Sequence, residues 1–224
     1  MRVSLIIPAL NEAESLGRLL TEVPFDVLHQ VIVVDNGSTD HTAEVARAGG
    51  AQVIDESRRG YGHACAAGLA AAEGDAVVFM DGDGSFVPAE LTELLVPLKE
   101  GKADLILGSR WLKTPEKDVM PIHQRLGNHL FVWLLRRRFG LTLTDLGPYR
   151  AIRRELLLEL EMQEYTYGWP LEMIIKTARL RKSIVELPVT YRPRFAGQSK
   201  VGGTLRGSIL SGYRFFSVMV RYAF

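Results

Sequence analysis

The chain has 224 residues, 47% hydrophobic and 24% charged, with 27 Lys and Arg against 26 Asp and Glu for a net charge of +1. That is room for one large domain with an ample core, and no global charge directs it to nucleic acid. The single cysteine, Cys65, excludes an intrachain disulfide and a cysteine zinc site, and among its alanine neighbours it reads as a small packed residue.

In chain order, 3–7 is a short apolar run and predicts a buried strand. Residues 11–23 predict a helix, with Leu16, Leu19, Leu20 and Val23 at helical spacing. A strand over 31–34 precedes Ser38-Thr39-Asp40, which caps a helix over 42–48. A strand over 52–54, an Ala- and Gly-rich helix over 61–72 and a strand over 76–80 follow. Pro88 opens a helix over 89–98, and 104–107 is a fifth strand. This alternation with short connections predicts a mostly parallel sheet with helices on both faces, whose ligands sit beyond the C-terminal strand ends.

The second half is less regular. Residues 121–139 predict a helix ending in Arg136-Arg137-Arg138, 145–154 a polar turn and a capped helix start, and 155–180 helix punctuated by Trp169-Pro170. Residues 183–191 read as a strand, 194–204 as a Gly-, Ser- and Lys-rich mobile loop, and 205–224 as an apolar tail with spaced arginines. The division is a main domain over 1–204 and a C-terminal helix over 205–224, either amphipathic or packed on the core. The apolar start is too short for a signal segment and no stretch is long enough to span a bilayer, so the expected compartment is the cytosol, with any membrane contact peripheral.

The chemistry is concentrated after the strands. Asp81-Gly82-Asp83 puts two carboxylates one residue apart, a hard-oxygen set that suits Mg²⁺ or Mn²⁺ held together with substrate phosphates. A polar turn is an equal reading of that pair alone. Asp35, at the end of the second strand, is placed for a ribose or base edge, or for turn chemistry with Asn36-Gly37.

Taken together, Pro8-Ala9-Leu10-Asn11-Glu12, then Asp35-Asn36-Gly37-Ser38-Thr39-Asp40, then Asp81-Gly82-Asp83 resemble the family 2 glycosyltransferases of the GT-A fold. Arg59-Gly60-Tyr61-Gly62, Gly108-Ser109-Arg110 and Thr144-Asp145-Leu146-Gly147 continue the resemblance. Glu186-Leu187-Pro188-Val189 with Arg194, Gly197, Ser199 and Lys200 is similar to the closing loop of dolichyl- or polyprenyl-phosphate sugar synthases. Many relatives have Ser-Gly-Phe-Arg where this chain has Gly147-Pro148-Tyr149-Arg150, which bears on the acceptor more than on the reaction.

The resemblance implies an α/β fold of GT-A type with an irregular acceptor-side second half, and an inverting, metal-dependent transfer from a UDP- or GDP-sugar. It implies metal binding by Asp81 and Asp83, and donor contacts from Pro8, Leu10, Asn11, Glu12, Asp35, Gly62, Asp81, Gly82, Arg194 and Lys200. Arg110 and Arg125 are then the acceptor-side cations. Asp145 is the general base for a hydroxyl acceptor; for a polyprenyl phosphate, already anionic, it orients the acceptor or supports the metal site. A structural or acceptor-side role follows for Glu172. A homo-oligomer stays open. Nucleotidyltransferase and dehydrogenase readings lack their glycine-rich loops after the first strand. A non-catalytic sugar-nucleotide-binding subunit fits poorly with the intact Asp81, Asp83, Arg194 and Lys200.

Overall fold

The computed structural model describes residues 1–113, 120–197 and 205–223, with side chains in the last segment from 210 onward. Lys200 and Ser199 therefore lie outside the described residues.

The first half alternates as expected: β1 (Val3–Ala9), α1 (Ala13–Glu22), β2 (Gln30–Asp35), α2 (Thr42–Ala48), β3 (Gln52–Asp55), α3 (Tyr61–Ala71), β4 (Ala76–Phe79), α4 (Leu91–Lys99) and β5 (Leu105–Ser109). Then come α5 (Ile122–Phe139), β6 (Arg150–Arg153), α6 (Arg154–Glu159), α7 (Trp169–Arg179), β7 (Ile184–Pro188) and α8 (Leu205–Ala223). The seven strands form one sheet in the order β3-β2-β1-β4-β6-β5-β7. Every pairing is parallel except those of β6, which runs antiparallel to β4 and β5.

The apolar runs are continuous because both sheet faces are covered. Leu5 and Ile7 of β1 join Val33 and Val78 in a core closed by Leu16 and Leu19 of α1, Ala46 of α2 and Leu94 and Leu98 of α4. Ile6, one residue out of phase, points into the opposite core with Ile32, Phe79, Cys65 of α3, Leu135 of α5 and Ile174 of α7. Cys65 is buried there as a packing residue. In α8, Val218, Met219, Tyr222 and Ala223 are buried in this second core.

Two readings of the second half are corrected. The turn and helix start expected over 145–154 contain a strand, β6. Its first residue, Arg150, is buried and donates to the carbonyls of Pro170 (2.8 Å), Leu146 (3.1 Å) and Gly147. Helix over 155–180 is interrupted: α6 ends at Glu159, Glu161 takes φ 46°, and a new helix starts at Trp169 with Pro170 in its first turn. Among the described residues no helix is long and apolar enough to cross a membrane.

Candidate active site

The ends of β1, β2, β4 and β5 lie at one edge of the sheet, and the polar segments that follow them meet there. After β1, Asn11 takes φ 50°, a left-handed conformation that asparagine tolerates. Its N–H donates to Ser38 Oγ (2.9 Å), and its Oδ1 accepts the Thr39 N–H (2.7 Å). Asp40 accepts from the N–H of Thr42 (3.0 Å) and of Ala13 (3.2 Å), so one carboxylate serves the starts of α1 and α2. These bonds tie the β1 turn, which contains Pro8, Leu10 and Glu12, to the β2 turn.

Asp35 is half-buried beside them and accepts the Ser38 N–H at 2.9 Å. Asn36 is buried instead. Its Nδ2 donates to the carbonyls of Glu56 (3.0 Å) and Arg58 (2.7 Å), and its Oδ1 accepts the Gly60 N–H (2.9 Å). It shapes the loop leading to α3. Gly62, expected as a donor contact, stands at the start of that helix. Its N–H donates to the Thr166 carbonyl at 3.2 Å, and a Cβ there would run into the backbone of Glu164 and Tyr165. The absent side chain makes room for the α6–α7 connection.

Beyond β4, Asp81 and Asp83 stand together, both half-buried. Gly82 between them rests against β1, where a Cβ would lie 3.2 Å from Ile7 Cγ2. Asp83 Oδ1 accepts the Ser85 N–H at 2.9 Å. Burial, and then the neighbouring Asp83 charge, push the Asp81 carboxyl up to about 7. Arg194, after β7, reaches back to Glu12 and Asp83. Its Nη2 donates to the two oxygens of Glu12 (2.8 and 3.0 Å), and its Nη1 is 3.9 Å from Asp83 Oδ2. The structure thus gathers Glu12, Asp81, Asp83 and Arg194. Among the described residues no three His, Cys, Asp or Glu side chains converge to hold a metal unaided. A half-buried two-carboxylate set fits a Mg²⁺- or Mn²⁺-like ion that takes its remaining ligands from phosphate and water.

Asp145 is fully buried and bound to Arg110. Its oxygens accept from the Arg110 backbone N–H (2.9 Å), Nε (2.7 Å) and Nη2 (2.7 Å), and from the Leu146 N–H (2.8 Å). Burial would raise its pKa, but the Arg110 charge and hydrogen bonds outweigh that and hold it below the ordinary range. Glu186 of β7 braces the turn by accepting the N–H groups of Thr144 (2.7 Å) and Asp145 (2.8 Å). Expected as a general base for a hydroxyl acceptor, or as an orienting or supporting residue for a phosphate acceptor, Asp145 has both oxygens enclosed and engaged, and it anchors Arg110. Arg110 also lies 5.2 Å from the Tyr191 ring. Arg125 is exposed on α5, over the indole of Trp111 at 5.3 Å, one residue from Arg110. Glu172 is buried, accepting the N–H of Gln163 (2.9 Å) and Glu164 (2.7 Å) and pairing with Lys176, a structural role.

Sequence reading missed Tyr191, Arg192 and Phe195. Arg192 donates to the Gly84 carbonyl (2.7 Å) and Glu22 (2.6 Å), and the Phe195 ring lies between Arg18 (3.9 Å) and Arg192 (4.4 Å). The interleaved cations and aromatics of Tyr191-Arg192-Pro193-Arg194-Phe195 were the available signal.

Known proteins are similar to this chain in sequence and fold. The profile of the family described as glycosyl transferase family 2 matches residues 4–160, from β1 through α6. An uncharacterised glycosyltransferase of Mycobacterium tuberculosis is 41% identical over 221 residues, 97% of each chain. An undecaprenyl-phosphate mannosyltransferase of Micrococcus luteus is 36% identical, over 92% of this chain and 90% of its own. Among solved structures, glucosyl-3-phosphoglycerate synthase from Mycobacterium tuberculosis, in complex with Mn²⁺, uridine diphosphate and glucosyl-3-phosphoglycerate, is similar with a TM-score of 0.80 and 25% identity, covering 99% of this chain and 80% of that one. With a strand-end acidic site on this sheet, and with the family profile matching well over half its length, the chain belongs to glycosyl transferase family 2 and is a glycosyltransferase of the GT-A fold.

Proposed function

We propose that this enzyme moves a sugar from a nucleoside diphosphate sugar to a polyprenyl phosphate, at the cytoplasmic face of a membrane, with Mg²⁺ or Mn²⁺ held by Asp81 and Asp83. The observation that carries the reading is the half-buried carboxylate pair after β4, beside Glu12 and Arg194, where burial first and then the Asp83 charge push the Asp81 carboxyl up to about 7. A divalent cation supplies charge neutralisation as the diphosphate departs.

The chain's own residues divide the remaining work. Asp35 holds the ribose or base edge, and the turn from Pro8 through Leu10, Asn11 and Glu12 walls the nucleotide. Gly82 lets the backbone approach the phosphates. Arg194 exchanges Glu12 for the diphosphate when donor binds, and Lys200 joins it. Arg110, held in place by Asp145, meets the acceptor phosphate, with Arg125 farther out on the acceptor side. A phosphate monoester arrives as an anion and needs no proton removed, which agrees with the full commitment of Asp145 to Arg110. Attack from the face opposite the leaving group inverts the anomeric carbon.

Similarity to the undecaprenyl-phosphate mannosyltransferase supports the lipid acceptor. Likeness to glucosyl-3-phosphoglycerate synthase favours a second reading, a soluble acceptor. The test supplies radiolabelled UDP- and GDP-sugars with undecaprenyl phosphate in micelles or with 3-phosphoglycerate, with Mn²⁺ or with chelator. The lipid reading expects organic-soluble label that disappears with chelator. Label passing only to the water-soluble acceptor removes the lipid reading and leaves the glycosyltransferase.

A further inference from the structure

The helices α5 and α8 are unlike the rest of the molecule in both charge and exposure. Together they contain seven arginines, Arg125, Arg136, Arg137, Arg138, Arg206, Arg214 and Arg221, and no Asp, Glu or Lys. Removing those seven charges from the total of +1 leaves the rest of the chain at −6. No ion pair formed among the described residues uses any of them. By contrast Arg18 of α1 has Glu22 within 3.9 Å.

The same helices carry eight of the sixteen large hydrophobic side chains exposed among the described residues. On α5 these are Ile122, Leu126, Leu130 and Trp133, 53–73% exposed and spaced by four, four and three residues. That spacing makes one stripe, opposite the buried Phe131, Val132 and Leu135. On α8, Leu210, Tyr213, Phe216 and Val220 form the matching stripe opposite Val218, Met219 and Tyr222. The two helices lie side by side: the rings of Phe131 and Phe215 meet edge-to-face at 5.2 Å, and Arg138 Nε donates to the Ala223 carbonyl at 2.6 Å. Both cover α7, which is almost wholly buried, and turn their apolar stripes away from it.

We propose that the outer face of α5 and α8 docks the enzyme on an anionic lipid bilayer, the stripes entering the headgroup layer and the arginines meeting lipid phosphates. Such a helix face, apolar and flanked by arginine without carboxylates, is what an interfacial helix presents. A second copy of the chain is a poorer occupant, because isologous pairing would set arginines against arginines. The surface also leads inward. Trp133, exposed in the stripe, lines a cavity of about 320 Å³ with Trp111, His129, Val132, Arg136 and Thr144. Thr144 adjoins Asp145, and Trp111 adjoins Arg110, so an apolar chain rising from the bilayer through this cavity brings its phosphate to Arg110. The inference deepens the polyprenyl-phosphate reading and rests on it for its purpose, not for the docking itself.

The test is co-sedimentation of the full chain with vesicles of phosphatidylglycerol or of phosphatidylcholine. It is repeated with Leu126→Gln/Leu130→Gln on α5, with Tyr213→Ser/Phe216→Ser on α8, and with Val96→Gln on α4 as a control. We expect the wild type to partition into phosphatidylglycerol at least about tenfold more strongly, with most of that preference lost at high salt. Each double variant loses about tenfold in partition with its melting temperature unchanged, since the replaced residues are exposed; the control behaves as wild type. Equal recovery of wild type and variants with the vesicles overturns the proposal. So does a wild-type dimer that the variants break, without lipid binding. Transfer to polyprenyl phosphate in micelles by a protein that ignores vesicles overturns docking alone. Vesicle binding without use of polyprenyl phosphate overturns the acceptor reading alone.

Discussion

Asp81 is proposed as a metal ligand, yet burial and the neighbouring Asp83 charge favour its protonated form, and that conflict is measurable. In the folded chain without a cation its carboxyl titrates at about 7, against an ordinary value of 3.8. The unfolded chain gives up the proton first as pH rises. The stability tied to that proton is therefore complete below 3.8 and is lost as pH climbs through 7. Asp81→Asn should raise the melting temperature at pH 8 in chelator, by roughly 3 °C, and change it little near pH 4. Mn²⁺ with nucleotide should then stabilise the wild type and not the variant. Asp83→Asn should leave the fold intact and reduce transfer at least about a hundredfold; wild-type turnover in this variant would remove the carboxylate pair from the mechanism. Asp145 makes the opposite prediction. Because three of its four accepted bonds come from Arg110, Asp145→Asn should cost about 3 kcal/mol of stability, read by denaturant unfolding, and raise the KM for acceptor. A general base would instead lose kcat with stability unchanged. The carboxylate pair was legible from a buried strand ending in acid. The Arg110–Asp145 pair was not, because its members are 35 residues apart and only the fold brings them together.

At the scale of elements, the segments linking helices and strands decide which residues reach the site. Gly62 looked like a ligand-side glycine in sequence, and its helix start does lie near the sheet edge. The carbonyl of Glu164 fills the space a Cβ would take, and backbone cannot yield as a flexible side chain can. Gly62→Ala should therefore destabilise the fold by more than about 1 kcal/mol, seen as a lowered melting temperature, rather than raise the KM for donor alone. The segment after β7 works the other way: a glycine permits a close contact that positions a loop. Gly84 has φ +77°, and a Cβ there would enter the Phe195 ring. Phe195, held by Arg18 and Arg192, sets Arg194 against Glu12. Arg194→Ala should raise the KM for donor about tenfold or more, as a cation leaves the diphosphate. Stopped-flow or steady-state kinetics with an unchanged KM would dissociate this segment from donor binding. Strand β6 escaped notice because four residues with two arginines carry no strand period; pairing on both sides makes them a strand.

At the scale of the whole molecule, the C-terminal helix belongs to the second core as much as to the surface. Val218, Met219 and Tyr222 are buried against the layer containing α7. Truncation after residue 203 should uncover α7 and cost several kcal/mol, at about 1.5–3 kcal/mol for each large buried side chain. A truncated chain that melts with the wild type would show the helix to be an appendage. For that reason point substitutions on the exposed stripe, and not truncation, separate membrane contact from folding.

What the sequence determined by itself was the half of the fold whose information is local. Apolar runs of four to seven residues, helix caps and short connections are enough to specify the βα alternation, because each element is stabilised where it stands in the chain. From that alternation the acidic turns at the strand ends followed directly. The tertiary structure decided the rest: the antiparallel insertion of β6, the burial of Arg150 among carbonyls, the engagement of Asp145 by Arg110, and the reach of Arg194 to Glu12 across 182 residues. Each of these depends on contacts between segments that only the folded chain brings together. An arginine in a sequence carries the same charge whether it ends in solvent, in a core or over a substrate, and only burial and the partner beside it distinguish the three.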